Sequence, residues 1–353
     1  MSMTKQRIRL DYLDIAKCIT IFLVIVGHVS SNTDDPFYRC AIYYFHMPLF
    51  FIVSGVVIRK HQTTKYDLAH YKDLILKNVF MLLIPYYIWA LIYSNFSYAG
   101  VLQILYGSWQ SLAKAGTLTS LWYLPCLFLA RIWMELVLNS SNLFPKINRH
   151  VYAFVCSIVA FVIGFSLPAL ENGYPMCLDI SFVALGYMLI GYSYKEYLNK
   201  LEEKSNIYHF IMLFVYICLF IFGVTYEEKT FLVLMCGSIY GNIPLLLLNS
   251  LSGCGIVITL SVIISKYWKV NQDSKAKDTI LWIGRNTIGI YFIHKPFMQQ
   301  VIVPIFTNMG YSTDSFVIAL ICATITLPIS CAAVYGINKY FPNLFHKQQQ
   351  KIS

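Results

Sequence analysis

The sequence predicts an all-α polytopic integral membrane protein with about ten transmembrane helices and with both termini in the cytoplasm. The 353-residue chain is 58% hydrophobic and only 12% charged, whereas soluble domains carry about 25% charged residues. Apolar segments of about 20 residues, the length that a helix needs to cross about 30 Å of hydrocarbon, recur along the chain. The loops that join them alternate between many and few Lys and Arg residues, as the positive-inside rule requires.

Ten apolar segments are candidate spans. In chain order they are 13–31, 42–58, 78–98, 121–138, 150–168, 177–193, 207–224, 231–265, 280–302 and 316–338. The eighth is too long for one straight helix, so it could be one broken span or two. Five residues that weaken or break helices interrupt it, namely Gly237, Gly241, Pro244, Gly253 and Gly255.

Loop charge favours a single crossing by the eighth segment. With ten spans and the N-terminus inside, the cytoplasmic loops and tails carry 21 Lys and Arg residues and the outside loops carry three. Two crossings there would change this bias to 13 against 11. The net charge of +10 therefore matches the anionic inner leaflet and requires no nucleic-acid partner. We expect one membrane domain, residues 1–353, embedded in the lipid bilayer.

Neither a cleaved leader nor a cysteine framework is predicted. The first apolar segment lacks a small-residue cleavage site, so we interpret it as a retained span. The ten cysteines form no CxxC pair, and most lie inside apolar segments, where they pack as small hydrophobic residues. We expect neither structural disulfides nor a zinc site.

The first span carries three polar residues on one face. At 100° per residue, Asp14, Lys17 and His28 point to the same side of a helix, and Lys17 and His28 are about 16 Å apart along its axis. Charged groups inside a span cost about 2.5–3.5 kcal/mol each and are candidates for function. The structural alternative is an Asp14–Lys17 pair that anchors the helix end, with His28 bonded to a neighbouring helix.

Two further histidines fall at a similar predicted depth. His46 precedes Pro48 in the second span, and because proline breaks or kinks a helix we expect the helix to be kinked or to begin there. His294 lies about two-thirds of the way across the ninth span. The three histidines lack any HxxxH or HxxEH spacing, so no metal site is predicted. The adjacent Ser54–Gly55 pair is most simply a small-residue packing contact.

Other charged residues have either a structural or a ligand-binding interpretation. Arg131 and Glu135 are four residues apart in the fourth span and most simply neutralise each other. Arg285 opens the ninth span, where it could anchor the helix or bind a phosphate with its planar fork. The basic stretch 59–77, with Arg59 and Lys77 at its ends, fits a positive-inside loop and is also where an anionic cytosolic ligand would dock.

Four motifs together resemble one family. Arg9–Lys17 followed by Val24–His28 resembles the start of the acyltransferase-3 family of bacterial membrane acyltransferases. Phe45–Gly55 resembles its second-span motif and is most similar to the subgroup described as fucose 4-O-acetylase-like. Leu121–Leu124 and Trp282–His294 resemble two later motifs of the family, in the same order along the chain.

The resemblance implies transfer of an acyl group, usually acetyl, from acyl-CoA to a hydroxyl of a cell-envelope glycan or glycan precursor at the bacterial cytoplasmic membrane. It assigns the family's basic residue to Lys17 and its catalytic histidine to His28. Imidazole, with a reference pKa of about 6.5, suits a general base for a sugar hydroxyl. We expect direct transfer, with His46 and His294 as candidate partners of His28, and with Asp14, Lys17, Arg59, Lys77 and Arg285 as candidate donor-binding residues.

One departure from the family pattern and one rival function leave alternatives open. Many relatives carry an Arg-x-x-Arg motif before the proline of the third span, but the stretch before Pro85 has Lys77 as its single basic residue. A transporter of an envelope glycan or small metabolite would also use intramembrane charged residues and broken helices. The sequence does not identify the acceptor, the acyl group, the side on which the acceptor is used or the oligomeric state.

Overall fold

The computed structural model describes residues 10–30, 36–58, 68–116, 118–226, 232–270 and 275–341, and within these ranges the chain forms helices and no strand. The α-helices are α1 (Asp11–Gly27), α2 (Phe37–Val57), α3 (Leu68–Asn78), α4 (Ile84–Tyr93), α5 (Tyr98–Tyr106), α6 (Trp109–Lys114), α7 (Tyr123–Ser140), α8 (Arg149–Ser166), α9 (Leu178–Ser193), α10 (Lys195–Asn199), α11 (Asn206–Tyr226), α12 (Ile243–Val270), α13 (Lys275–Arg285), α14 (Thr287–Phe297), α15 (Val303–Asn308) and α16 (Phe316–Tyr340). Single π-helical turns, Val79–Leu83 and Met298–Ile302, join α3 to α4 and α14 to α15.

Eight helical segments of the described chain are long and apolar enough to cross a membrane. They are Phe37–Val57, Ala69–Tyr93, Thr119–Leu143, Arg149–Ser166, Pro175–Ser193, Asn206–Tyr226, Ile243–Trp268 and Phe316–Tyr340. The prediction of an all-α polytopic membrane protein is therefore confirmed. The number of ten crossings and the cytoplasmic position of the termini stay predictions.

The predicted first and ninth spans differ from the other eight. Helix α1 has 17 residues, which at 1.5 Å per residue gives about 26 Å, slightly less than the hydrocarbon thickness. The ninth segment is divided at Asn286, so that α13 ends before it and α14 begins after it. The first of these segments carries Asp14, Lys17 and His28, and the ninth carries Arg285 and His294.

The predicted helix breaks are present in part. The eighth segment is interrupted at Gly237 and Gly241, and α12 begins only at Ile243. A helix start near Pro48 is wrong, whereas a kink there stays a prediction.

Helix α2 begins at Phe37 and contains Pro48 in its interior, so His46 is the tenth residue of a helix and does not lie at its start. Helix α12 continues through Gly253 and Gly255. In lipid a backbone N–H or C=O group without a hydrogen bond costs several kcal/mol. A helix therefore continues through residues that would end it in water. A Cβ on Gly255 would lie 2.8 Å from the Tyr216 ring, so this glycine permits close packing.

The chain divides into two compact units. One comprises residues 1–42, 201–218 and 252–353, and the other comprises residues 43–200 and 219–251. In the first unit α1 packs against α13, α14 and α16. In the second, α9 packs against α7 and α8. The single domain over residues 1–353 stays a prediction.

Small residues allow helix backbones to approach closely in each unit. A Cβ on Gly55 of α2 would lie 1.9 Å from the carbonyl oxygen of Met188, and one on Gly191 of α9 would lie 2.1 Å from that of Ile52. The predicted packing contact at Gly55 is thus confirmed. In the first unit, a Cβ on Gly284 would lie 1.9 Å from the carbonyl oxygen of Asp14, so α1 and α13 touch directly there.

Candidate active site

A buried carboxylate joins two cations at the beginning of α1. Asp14 is 3% exposed. Its Oδ1 lies 2.7 Å from Nζ of Lys17, one turn further along the helix, and its Oδ2 accepts a hydrogen bond of 3.2 Å from Nε of Arg285. A buried carboxylate is stable only when it is paired in this way. Two positive groups around one negative group leave the cluster with a net charge of +1.

The helix contact at Gly284 positions this cluster. Arg285 is the last residue of α13 and follows the glycine that touches the Asp14 backbone. A second ion pair, between Lys277 of α13 and Asp11 of α1 at 3.8 Å, joins the same two helices. The close approach therefore aligns Arg285 with the polar face of α1.

The two cations keep unused hydrogen-bond donors. Arg285 is 40% exposed and uses only Nε within the described chain, so its two terminal nitrogens remain available. Lys17 is partly exposed, and Asp14 is its single partner among the described residues. A planar guanidinium beside an ammonium group suits phosphate oxygens, because the guanidinium can bind two oxygens at once.

Asn286 separates α13 from α14 and is held on two sides. Its Nδ2 donates to the carbonyl oxygen of Trp282 at 2.8 Å, and its Oδ1 accepts a hydrogen bond of 3.0 Å from Nδ2 of Asn338 on α16. The break ends α13 at Arg285 and starts α14 at Thr287. The short segment from Arg285 to His294 therefore supplies partners to both polar regions of α1.

The second polar region is a pair of stacked histidines. His28 is the residue that ends α1 and is half-buried. Its ring stacks on that of His294 of α14, with 5.6 Å between ring centroids and 24° between ring planes. The structure thus brings together two of the three predicted histidines from positions far apart in the sequence.

The protonation of His294 follows from its hydrogen bond. Its Nδ1 lies 3.1 Å from the carbonyl oxygen of Ile290. Because a carbonyl can only accept, Nδ1 must carry the proton in the neutral ring, which leaves a lone pair on Nε2. The residue is 0% exposed, and its Nε2 has no hydrogen-bond partner within the described part of the chain. A buried basic nitrogen with an unused lone pair is typical of an active site.

His46 belongs to the other unit and is also buried. Its ring contacts that of Tyr43, one turn earlier on α2, with 4.8 Å between centroids. The structure gives it an aromatic neighbour on its own helix, and its predicted role beside His28 stays a prediction.

Of the two remaining donor-binding candidates, Lys77 is among the described residues. Lys77 is exposed at the end of α3 and pairs with Asp73 of the same helix at 2.7 Å. Arg59 lies outside the described residues.

The predicted Arg131–Glu135 pair is wrong. Arg131 donates from Nη1 to Oδ1 of Asn78 at 3.0 Å, and Glu135 lies 3.1 Å from Nε2 of His70. Both partners come from α3, which packs beside α7 through the π-helical turn. The sequence pattern does not indicate His70, which lies outside the predicted spans, or Asn78, the uncharged first residue of the third span. No group of three or more His, Cys, Asp or Glu residues that could hold a metal occurs in the described ranges.

Comparison with known proteins identifies the family. A family model described as an acyltransferase domain, of the acyltransferase-3 type, matches residues 10–335 and so includes both polar regions of α1 and their partners. No curated protein and no solved structure matches the chain. The match covers far more than half of the sequence, and the helices are those of a multi-pass membrane protein. The chain therefore belongs to the acyltransferase-3 family of membrane acyltransferases.

Proposed function

We propose that this protein transfers a short acyl group, acetyl in the simplest case, from acyl-CoA to a hydroxyl of a cell-envelope glycan or glycan precursor. The resemblance to the fucose 4-O-acetylase-like subgroup supports an O-acetyl product and a bacterial cytoplasmic membrane as its location. The family membership supports the reaction class.

One observation carries the proposal: α1 holds a cationic cluster at its beginning and a histidine pair at its end. The cluster of Asp14, Lys17 and Arg285 has unused donors for an anion. The pair of His28 and His294 offers neutral imidazole nitrogen for a proton. Lys17 and His28 are about 16 Å apart along the helix axis. An extended donor with anionic groups at one end and a thioester at the other matches this arrangement.

In the proposed reaction His28 acts as the general base. A sugar hydroxyl loses its proton to the imidazole as its oxygen attacks the thioester carbonyl carbon. The carbon–sulfur bond breaks, the acyl group passes to the sugar oxygen, and the departing CoA sulfur takes the proton from the imidazolium. We assign this step to His28 because it is half-buried and so more accessible than His294.

His294 positions His28 in this account. Its own ring is fixed by the Ile290 carbonyl and by burial, so it presents a rigid face on which the His28 ring rests. A rigid base loses less entropy when the substrate binds and reacts.

Lys17 and Arg285 bind the CoA phosphates in this account. Asp14 fixes both cations without neutralising them completely. Arg59 and Lys77, in the predicted cytoplasmic loop, add positive charge that attracts the donor.

The proposal is tested by measuring thiol release. The detergent-purified protein is given acetyl-CoA, with and without a panel of envelope sugars. We expect sugar-stimulated release, an acetylated sugar by mass spectrometry, and a loss of about 10²–10⁴-fold in His28→Ala. His150→Ala is a matched control, since His150 pairs with Glu196 in the other unit. Full activity in His28→Ala would exclude the assigned base, and sugar uptake into proteoliposomes without thiol release would favour a transporter.

A further inference from the structure

A second polar cluster lies in the unit of residues 43–200 and 219–251, and it contains none of the proposed catalytic groups. Asp179, in the first turn of α9, is 6% exposed. Its Oδ2 accepts a hydrogen bond from Oγ of Ser238. Its Oδ1 is buried without a hydrogen-bond partner in the described chain, and no described cation pairs with it. The helix N-terminus favours its charge but leaves this oxygen unsatisfied.

A partly buried tyrosine follows Ser238 in this cluster. Tyr240 stands two residues after Ser238, which donates to Asp179, and its buried hydroxyl has no hydrogen-bond partner among the described residues. The Tyr240 ring packs edge-on against Phe165, with 4.9 Å between centroids. One unsatisfied acceptor and one unsatisfied donor therefore belong to residues that flank Ser238.

The backbone around the cluster adopts rare conformations. Met176, Cys177 and Ser238 have φ angles of 52°, 56° and 56°, in the left-handed region that non-glycine residues seldom occupy. Such residues concentrate at binding and catalytic sites, where the surrounding fold holds them. Met176 and Cys177 lie in the short turn Pro175–Cys177. Ser238 follows the short turn Met235–Gly237, which contacts α6.

We propose that Asp179 and Tyr240 bind a sugar unit of the acyl acceptor. A sugar hydroxyl donates to Oδ1 of Asp179, the Tyr240 hydroxyl donates to a sugar oxygen, and the neighbouring aromatic rings contact the apolar faces of the pyranose. The identification of this sugar as the acceptor rests on the proposed function. In the predicted topology the beginning of α9 lies on the outer side, where an exported glycan is found.

Cys236 provides a reporter that does not depend on acyl transfer. It is a half-buried cysteine outside any disulfide, two residues from Ser238. The experiment measures maleimide labelling of each cysteine by mass spectrometry in the intact purified protein, with methyl glycosides of glucose, galactose, mannose and fucose as probes. Cys218, which is exposed on α11, is the internal control.

We expect at least one glycoside to slow Cys236 labelling by about tenfold at about ten times its Kd, with Cys218 unchanged. Asp179→Asn should abolish this protection while keeping the melting temperature, because an amide oxygen still accepts from Ser238. Tyr240→Phe should weaken it. No protection by any glycoside, equal protection in Asp179→Asn, or protection by choline instead of sugars would each overturn the proposal. Sugar protection without acetyl-CoA turnover would instead contradict the proposed function alone.

Discussion

The imidazole rings of His28 and His294 stack at 5.6 Å although 265 positions separate them in the sequence. One ring ends α1 and the other stands on α14, and the two helices pack directly against each other. The surroundings of the two rings differ. The His294 ring is fully buried and hydrogen-bonded to a backbone carbonyl, whereas the His28 ring is half-buried. This asymmetry is the basis for assigning the base and the positioning residue.

Replacement of His294 tests whether it orients His28 or only packs against it. We expect His294→Phe to keep an aromatic face against His28 and to leave the melting temperature nearly unchanged. Activity should fall by about 10- to 100-fold, because loss of the Ile290 hydrogen bond lets both rings shift. The measurement is kcat with saturating acetyl-CoA, beside thermal unfolding in detergent. Unchanged kcat in a stable His294→Phe protein would exclude the positioning role.

The proposed contact between Arg285 and the CoA phosphates is tested by replacing Arg285. We expect Arg285→Ala to raise the KM for acetyl-CoA by about 10- to 100-fold, because hydrogen bonds to charged groups contribute about 1.5–3 kcal/mol. The KM for acetyl-pantetheine, a donor without phosphates, should not change. Lys277→Ala, which alters the neighbouring Asp11 ion pair, is the control. An equal rise in KM for both donors would place Arg285 away from the phosphates.

The contact between α1 and α13 is tested at Gly284. A Cβ there would lie 1.9 Å from the Asp14 carbonyl oxygen, so Gly284→Ala must force the helices apart. We expect a destabilisation of about 1–3 kcal/mol and a raised KM for acetyl-CoA, measured by thermal unfolding and kinetics. Gly336→Ala on α16 is a matched control, since a Cβ there meets nothing within 4 Å. Equal melting temperatures for the two variants would contradict the close approach.

Local patterns predicted much of the fold. Apolar length located the helices, because a span of about 20 residues is set by the bilayer and not by distant contacts. The same patterns predicted helix breaks wrongly where residues that weaken helices in water lie inside membrane-spanning helices. Pro48 and Gly253 would weaken a helix in water, yet α2 and α12 continue through them because lipid does not solvate an open backbone.

The candidate site was predicted in part. The shared face of Asp14, Lys17 and His28 follows from helical periodicity on a single helix. The contacts of Asp14 with Arg285 and of His28 with His294 join distant segments, and no local spacing indicates which helix packs beside α1. For the same reason the i,i+4 rule paired Arg131 with Glu135, although both bond to residues of α3.

Steady-state kinetics of His28→Ala and Arg285→Ala, with acetyl-CoA and the active sugar acceptor, distinguish proton removal from donor binding. We expect His28→Ala to lower kcat by about 10²–10⁴-fold with little change in the KM for acetyl-CoA. We expect Arg285→Ala to raise that KM and largely preserve kcat. A His28→Ala protein that keeps its kcat but loses donor affinity would contradict the account, because the histidine would then bind the donor and another group would remove the proton.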